Sequence, residues 1–204
     1  MLTLAVVIIN YKTPELVKAV LESLKTEIDA NSMQVVVVDN GSKDNSLNLF
    51  NIWVQENHAA SWVKLIDVGH NTGFSGGNNI GIGSVQAKNY LLLNSDTIVR
   101  DGAIKLLLEA AERNSAIGMV SPRLEGVDAT PQESCFRFHS PISELIKASS
   151  TSIITKIFSK FVVAQPVINK PGFYQWTSFA CILIKAKVIE QIGLLDDEFF
   201  MYYE

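Results

Sequence analysis

The chain is poor in the residues that build sites unaided. Its two cysteines, Cys135 and Cys181, stand far apart and form neither a metal-ligand spacing nor a disulfide framework, which fits a reducing cytosol. His58, His70 and His139 join no visible constellation. No apolar run is long enough to cross a bilayer. Met1 leads straight into "LTLAVVIIN" with neither a basic n-region nor a small-residue cleavage site, so this segment reads as a first core strand, not a signal peptide. Positive charge is also short. Seventeen Lys and Arg face 21 Asp and Glu, and a net charge of −4 argues against nucleic acid as a partner. The expected location is cytoplasmic.

What is present is a folded-protein composition. The 204 residues are 48% hydrophobic and 19% charged, enough for one sizeable core or a domain with an appendage. "TLAVVIIN" (3–10), "MQVVVVDNGS" (33–42), "WVKLIDVG" (62–69) and "YLLLN" (90–94) read as strands, the first two covered on both faces. Between them run helical patterns. "TPELVKAVLESLK" has Thr13 as N-cap and Pro14 at the first helical position, and Ser42 or Asp44 would cap the next helix. "GFSGGNNIGIGSVQA" enters a short helix through glycines, and Asp101 would cap "GAIKLLLEAAER". "AIGMVSPRL" gives a further strand. The expected class is α/β, a mostly parallel sheet with helices on both faces. Near residue 122 the alternation breaks, which divides a core (1–121) from a second region (122–204).

In an open α/β sheet, ligands sit beyond the carboxyl ends of the strands. Here those ends are Asn10-Tyr11, Asp39-Asn40-Gly41-Ser42, His70-Asn71-Thr72-Gly73 and Asn94-Ser95-Asp96. One such cluster is ordinary turn chemistry. Four on one edge point to binding. The loop "NYKTPE" lacks the glycines of a dinucleotide fingerprint, and "GIGSVQ" is a weak match inside a helical segment. "NTGFSGGNN" lets backbone amides approach a phosphate at a helix start. Asp96 offers an oxygen ligand to Mg2+ or Mn2+ bridging a diphosphate, and capping of its own loop is the competing reading.

"VVIINYKTPELVKAVLESL", "VVVVDNGSKDNS", "NTGFSGGNNIGI", "YLLLNSDTIV" and "IGLLDDEFFMYYE" together resemble inverting family 2 glycosyltransferases of the GT-A (Rossmann-like) fold, most closely a rhamnosyltransferase-like branch. The resemblance covers nearly the whole chain. It implies that Asn10 and Tyr11 border a base pocket with Asp39, beside Asn40 and Ser42. Asn71, Gly73, Gly76 and Asn78 would line the nucleotide-sugar. "NSD" stands where the family has an Asp-x-Asp motif, with Asn94 replacing the first acid and Asp96 left as the main metal ligand. Trp176 and Asp196 would face the acceptor, and Phe179 occupies a position that is usually glycine. The family pattern ends in a Glu-Asp pair whose aspartate is the general base. Glu204 supplies the glutamate, and the expected aspartate would follow the last residue, as if the chain were cut within the motif.

The implied donor is dTDP-rhamnose or a UDP-sugar, and the implied acceptor is a glycan or lipid-linked glycan in cell-wall or other polysaccharide synthesis. A nucleotidyltransferase would need a glycine- and arginine-bearing loop that "NYKTPE" does not supply. A nucleotide-sugar-binding module without turnover stays open. So does peripheral contact with the inner face of the membrane. Ile142, Leu145, Ile146, Ile153, Ile154, Ile157, Phe158, Phe161 and Val162 fall on one helical stripe interleaved with Lys147, Lys156 and Lys160. Packing of that stripe on the core is the alternative.

Overall fold

The computed structural model describes residues 1–149, 151–168 and 170–199, without the side chains of residues 152 and 153. The chain begins β1 (Leu2–Asn10), α1 (Pro14–Leu24), β2 (Met33–Asp39), α2 (Ser46–Glu56), β3 (Val63–Asp67), α3 (Gly73–Gly83), β4 (Ala87–Leu93) and α4 (Ala103–Glu112). β5 (Met119–Val120) and β6 (Cys135–Phe136) follow, then α5 (Pro141–Ser149), α6 (Ser152–Ile157), β7 (Trp176–Thr177), β8 (Cys181–Lys185) and α7 (Ala186–Ile192).

Six strands form one sheet in the order β3-β2-β1-β4-β8-β5. The four strands β1 to β4 run parallel, and β8 is antiparallel to both β4 and β5. The register puts Val7 between Val36 and Leu92, and this layer is sealed by Ile82 of α3 with Val188 and Ile189 of α7. Alternate residues along a strand face the other side. Leu4, Val6, Ile8, Val35, Val37 and Leu91 are equally buried, with stripes from α1 (Val17, Val20, Leu21, Leu24) and α4 (Ile104, Leu107, Ala111) buried as well. Two-sided burial explains why these strands lack polar alternation.

The chain forms two compact units, Met1–Val120 with the residues from Phe179 onward, and Ser121–Ser178. The sequence reading kept everything after residue 121 together. The difference has a physical cause. β4 ends in a buried run, Tyr90–Leu93, and without a neighbour its outer backbone edge would be unpaired, a state that proteins avoid. The apolar run "CILIK" returns to fill that position. Burial beside Leu93 pushes the Cys181 thiol up to about 12, so it stays protonated.

The second unit is described by itself. It holds the two-stranded β6-β7 ladder, α5, α6 and a 3-10 turn at Ser159–Phe161. The single stripe expected over 142–162 is interrupted, because Thr151 is extended between the two helices. Ile146 is 7% exposed, whereas Leu145 and Ile157 are 66% and 68% exposed; the Ile153 side chain falls outside the described residues. No helix among the described residues is long and apolar enough to cross a membrane.

Helix starts differ from expectation in instructive ways. Thr13 is the N-cap of α1 and Pro14 follows it, but the Thr13 hydroxyl makes no capping bond. Asn45 occupies the N-cap of α2, while Asp44 accepts from the Ser46 amide at 2.9 Å. Asp101 does not cap α4. Gly102 takes that place with φ +78°, a left-handed conformation that glycine adopts without strain. The capping acceptor comes from elsewhere in the chain. Glu27 accepts from the Gly102 amide at 2.6 Å and from the Ile104 amide at 3.1 Å. A carboxylate there also complements the helix dipole.

Glu27→Ala is therefore expected to lower stability by about 1 kcal/mol in urea titrations, and Asp101→Ala to have almost no effect. Native Cys181 should resist iodoacetamide at pH 8 and react fully once the chain is unfolded, as followed by mass spectrometry.

Candidate functional site

Chain order runs outward from β1 to β2 and β3, then crosses back to place β4 on the other flank of β1. The crevice at such a reversal is where open α/β sheets hold ligands. Thr13 Oγ1 spans it here, 3.4 Å from both Asn10 Oδ1 and Ser95 Oγ. The loop after β1 thereby meets the loop after β4.

The ends of β1 and β2 are locked by a buried carboxyl group. Asp39 is 3% exposed. Its Oδ1 accepts from Asn10 Nδ2 at 2.6 Å and Ser42 Oγ at 2.5 Å, and its Oδ2 accepts from the Ser42 amide at 3.2 Å. Asn10 spends its other N–H on Ser42 Oγ at 2.9 Å, and its Oδ1 takes the Thr13 amide at 3.2 Å. Ser42 Oγ also accepts from the Lys12 amide at 3.0 Å, which holds the left-handed turn at Lys12 (φ 61°). Polar groups buried this deeply must be bonded, and these are. Asn10 and Ser42 consequently have no polar atom left for a ligand. They shape the edge.

Asn40 does the same for the third loop. Its Nδ2 donates to Asn71 Oδ1 at 3.1 Å and to the Gly73 carbonyl at 2.9 Å. Its Oδ1 accepts from the Thr72 amide at 3.1 Å and the Thr72 hydroxyl at 2.8 Å. Gly41 allows this approach, since a Cβ there would stand 2.4 Å from the His70 carbonyl carbon and φ is +73°. Asn71 Oδ1 also accepts from the Gly73 amide at 2.9 Å, which leaves the Asn71 amide N–H groups without a partner among the described residues. Gly73 and Gly76 lie in the first turn of α3, which has no side-chain cap. Asn78, 2% exposed, donates to the Phe74 carbonyl at 3.0 Å.

At the β4 end, Asn94 donates its amide to the Ala180 carbonyl at 2.9 Å, tying this loop to the start of β8. Asp96 is exposed and makes no hydrogen bond or ion pair among the described residues, which removes loop capping as its role. Phe179, next to Ala180, meets the Phe74 ring edge-on at 6.4 Å. This links the departure at Phe179 to the glycine-rich loop. Tyr11 is 44% exposed beneath Lys12 Nζ at 5.2 Å.

The remaining candidates are not gathered in the same way. Asp196 is exposed, and its Oδ1 accepts from the Glu198 amide at 3.1 Å. Trp176 belongs to the second unit, where it stacks on Phe136 at 4.3 Å and donates Nε1–H to the Arg137 carbonyl at 2.9 Å. Glu204 lies outside the described residues. Sequence reading missed Thr13 as part of this edge, because a threonine beside a helix start reads as a cap.

Residues 5–168 match the family described as "Glycosyl transferase family 2". The low-salt glycan biosynthesis hexosyltransferase Agl10 of Haloferax volcanii is 29% identical over 205 residues, covering 98% of this chain and 58% of that protein. The mannosyltransferase PcManGT of Pyrobaculum calidifontis, in complex with GDP-Man and Mn2+, has a similar fold, with TM-score 0.63 at 14% identity over 96% of this chain and 48% of that one. S. aureus TarS 1–349 with UDP matches at TM-score 0.64 and 16% identity, over 98% and 52% respectively. The chain thus spans about half the length of the proteins it matches.

Asn40→Ala strips four bonds from the loop at residues 71–73. It should cost about 2–4 kcal/mol in denaturant titrations, at roughly 1 kcal/mol per bond. Amide exchange is expected to rise across residues 70–76 and to stay unchanged in β4.

Proposed function

Because the chain belongs to glycosyl transferase family 2, we propose that it moves a hexose from a nucleoside-diphosphate donor to a hydroxyl of a glycan or lipid-linked acceptor, with inversion at the anomeric carbon. One observation carries this reading. Four parallel strands end in a hydrogen-bonded edge at the sheet's switch point, and Asp96 stands there with an unengaged carboxylate.

The base and ribose would sit over Asp39 and Asn71, between Tyr11 and the first turn of α3. Asp39 keeps a lone pair on Oδ2 and Asn71 keeps its N–H donors, whereas Asn10, Asn40 and Ser42 hold those two in place. Gly73, Gly76 and Asn78 would line the diphosphate-sugar, with the uncapped first turn of α3 oriented favourably for negative charge.

The donor set near Asp96 suits a hard cation. It consists of the exposed carboxylate with the Asn94 and Ser95 side-chain oxygens as neighbours in sequence, and the described residues contain no cluster of three Asp, Glu, His or Cys groups. Mg2+ or Mn2+ would therefore be held by Asp96 and completed by phosphate and water, the usual arrangement for a diphosphate-bound ion. When bound, it supplies charge stabilisation to the departing diphosphate. The acceptor hydroxyl would lose its proton to a carboxylate opposite the leaving group. The family resemblance makes Glu204, of the terminal motif, the candidate for that side, and Asp196 and Trp176 separate candidates for contacting the acceptor.

Support for a nucleotide-sugar donor comes from the GDP-Man and UDP complexes of proteins with this fold. The hexosyltransferase relative supports glycan synthesis. Rhamnose, carried by dTDP, is the finer reading, and rests on the branch resemblance. A lipid-linked acceptor would place the protein at the inner face of a membrane. Exposed Leu145, Ile157 and Phe158, near Lys156 and Lys160 in sequence, offer an apolar and basic surface for that contact.

Calorimetry with UDP, GDP and dTDP, each with Mn2+, is the decisive test. At least one should bind. Asp96→Ala should weaken it about tenfold or more with Mn2+ and leave affinity in EDTA unchanged, since a charge-assisted contact is worth roughly 1.5–3 kcal/mol. Failure of all three nucleotides to bind would overturn the reading. Co-sedimentation with anionic vesicles should fall on replacing Leu145, Ile157 and Phe158 with serine, and unchanged sedimentation would remove the membrane contact.

A further inference from the structure

Residues 194–199 leave the end of α7 through Gly193 and are exposed except at one point, Leu195. The Leu195 side chain packs against the layer built on Val7, Val36 and Leu92. Its backbone is gripped on both sides by a single side chain from a distant helix. Asn79 Nδ2 donates to the Leu195 carbonyl at 2.8 Å, and the Leu195 amide donates to Asn79 Oδ1 at 3.0 Å. An asparagine amide presents one donor side and one acceptor side, so it pairs with a peptide unit as a neighbouring strand would. No other hydrogen bond joins residues 194–199 to the rest of the described chain.

Asn79 lies on α3, and the first turn of α3 is the glycine-rich loop that Asn40 holds at its other end. Its neighbour Asn78 turns inward to the Phe74 carbonyl, and a helical step of about 100° directs Asn79 to a different face. Two adjacent asparagines thus serve opposite tasks, one fixing the loop and the other the segment that carries Asp196.

We propose that Asn79 is a positioning residue which ties the segment 194–199 to the donor-loop helix, so that a nucleotide held by the loop also orders the acceptor-side carboxylates. The coupling rests on the glycosyl-transfer reading. The tie itself does not. Asn79 touches neither substrate. It acts through the backbone of Leu195, one residue before Asp196.

Amide exchange on the full chain separates the two. In the free protein, Asn79→Ala should speed exchange at Leu195 on the order of tenfold, with Val36 and Leu91 unchanged. Asn79→Asp, which keeps the acceptor for the Leu195 amide but loses the donor, should give an intermediate rate. Adding Mn2+ with whichever of UDP, GDP or dTDP binds should slow exchange over 194–199 in the wild type. The same nucleotide should leave that segment unchanged in Asn79→Ala, while binding it within about twofold of the wild-type affinity. Unchanged Leu195 exchange in the alanine variant would overturn the tie. Nucleotide-induced protection that persists in that variant, or that never arises in the wild type, would overturn the coupling. If none of the three nucleotides binds the wild type, the donor reading and the coupling fall together, and Leu195 exchange in the free protein still decides the tie.

Discussion

A carboxyl group buried at the end of a central strand has to be satisfied by its neighbours, and the polar edge of this protein is organised around that requirement. Asp39 is surrounded by Asn10 from the adjacent strand and Ser42 from its own turn, each of which is in turn fully bonded. Removing one partner would strand polar atoms where water cannot reach, a cost larger than the net worth of the bond itself. The network therefore tolerates little change in the paths of the loops after β1 and β2. Asn40, one residue further on, passes the same rigidity to the loop that opens α3.

Rigidity beneath and freedom above form the pattern of the site. The asparagines and serine closest to the sheet are consumed by the protein, and the groups left with bonding capacity among the described residues include Asp39 Oδ2, the Asn71 side-chain N–H groups and the Asp96 carboxylate. A scaffold of this kind holds its functional groups without spending them, as preorganised sites require. The lone carboxylate at Asp96 also suits a cation that arrives with its phosphates, because such an ion needs little from the protein.

The antiparallel strand β8 is the second structural decision. It pairs β4 from Asn89 to Leu93 and brings Ala180 to the Asn94 amide, so the loop carrying Asp96 is braced from the side opposite Thr13. The same return path places Phe179 against Phe74 and leads through α7 to Leu195 and Asn79. The three contacts are made by residues far apart in the chain, at or near a common edge.

Strand identity, the alternation with helices and the clustering of polar residues at strand ends were all legible in the sequence, because each follows from local patterning: two-sided burial removes polar alternation, and turns concentrate Asn, Asp, Gly and Ser. The motifs were legible too, and with them the family. What patterning could not reveal is which of two chemically equal groups is consumed and which is free. Asn40 and Asn71 look alike as residues, yet one is saturated inside the protein and the other retains its donors. Asp101 and Glu27 are both acids near a helix start in space, yet only the one 75 residues away accepts the orphan amides. Hydrogen-bond partners are set by through-space approach, which the fold alone decides. The amino-acid order determined where strands end and which groups they carry there. Tertiary structure decided which of those groups must satisfy one another and which remain for a ligand.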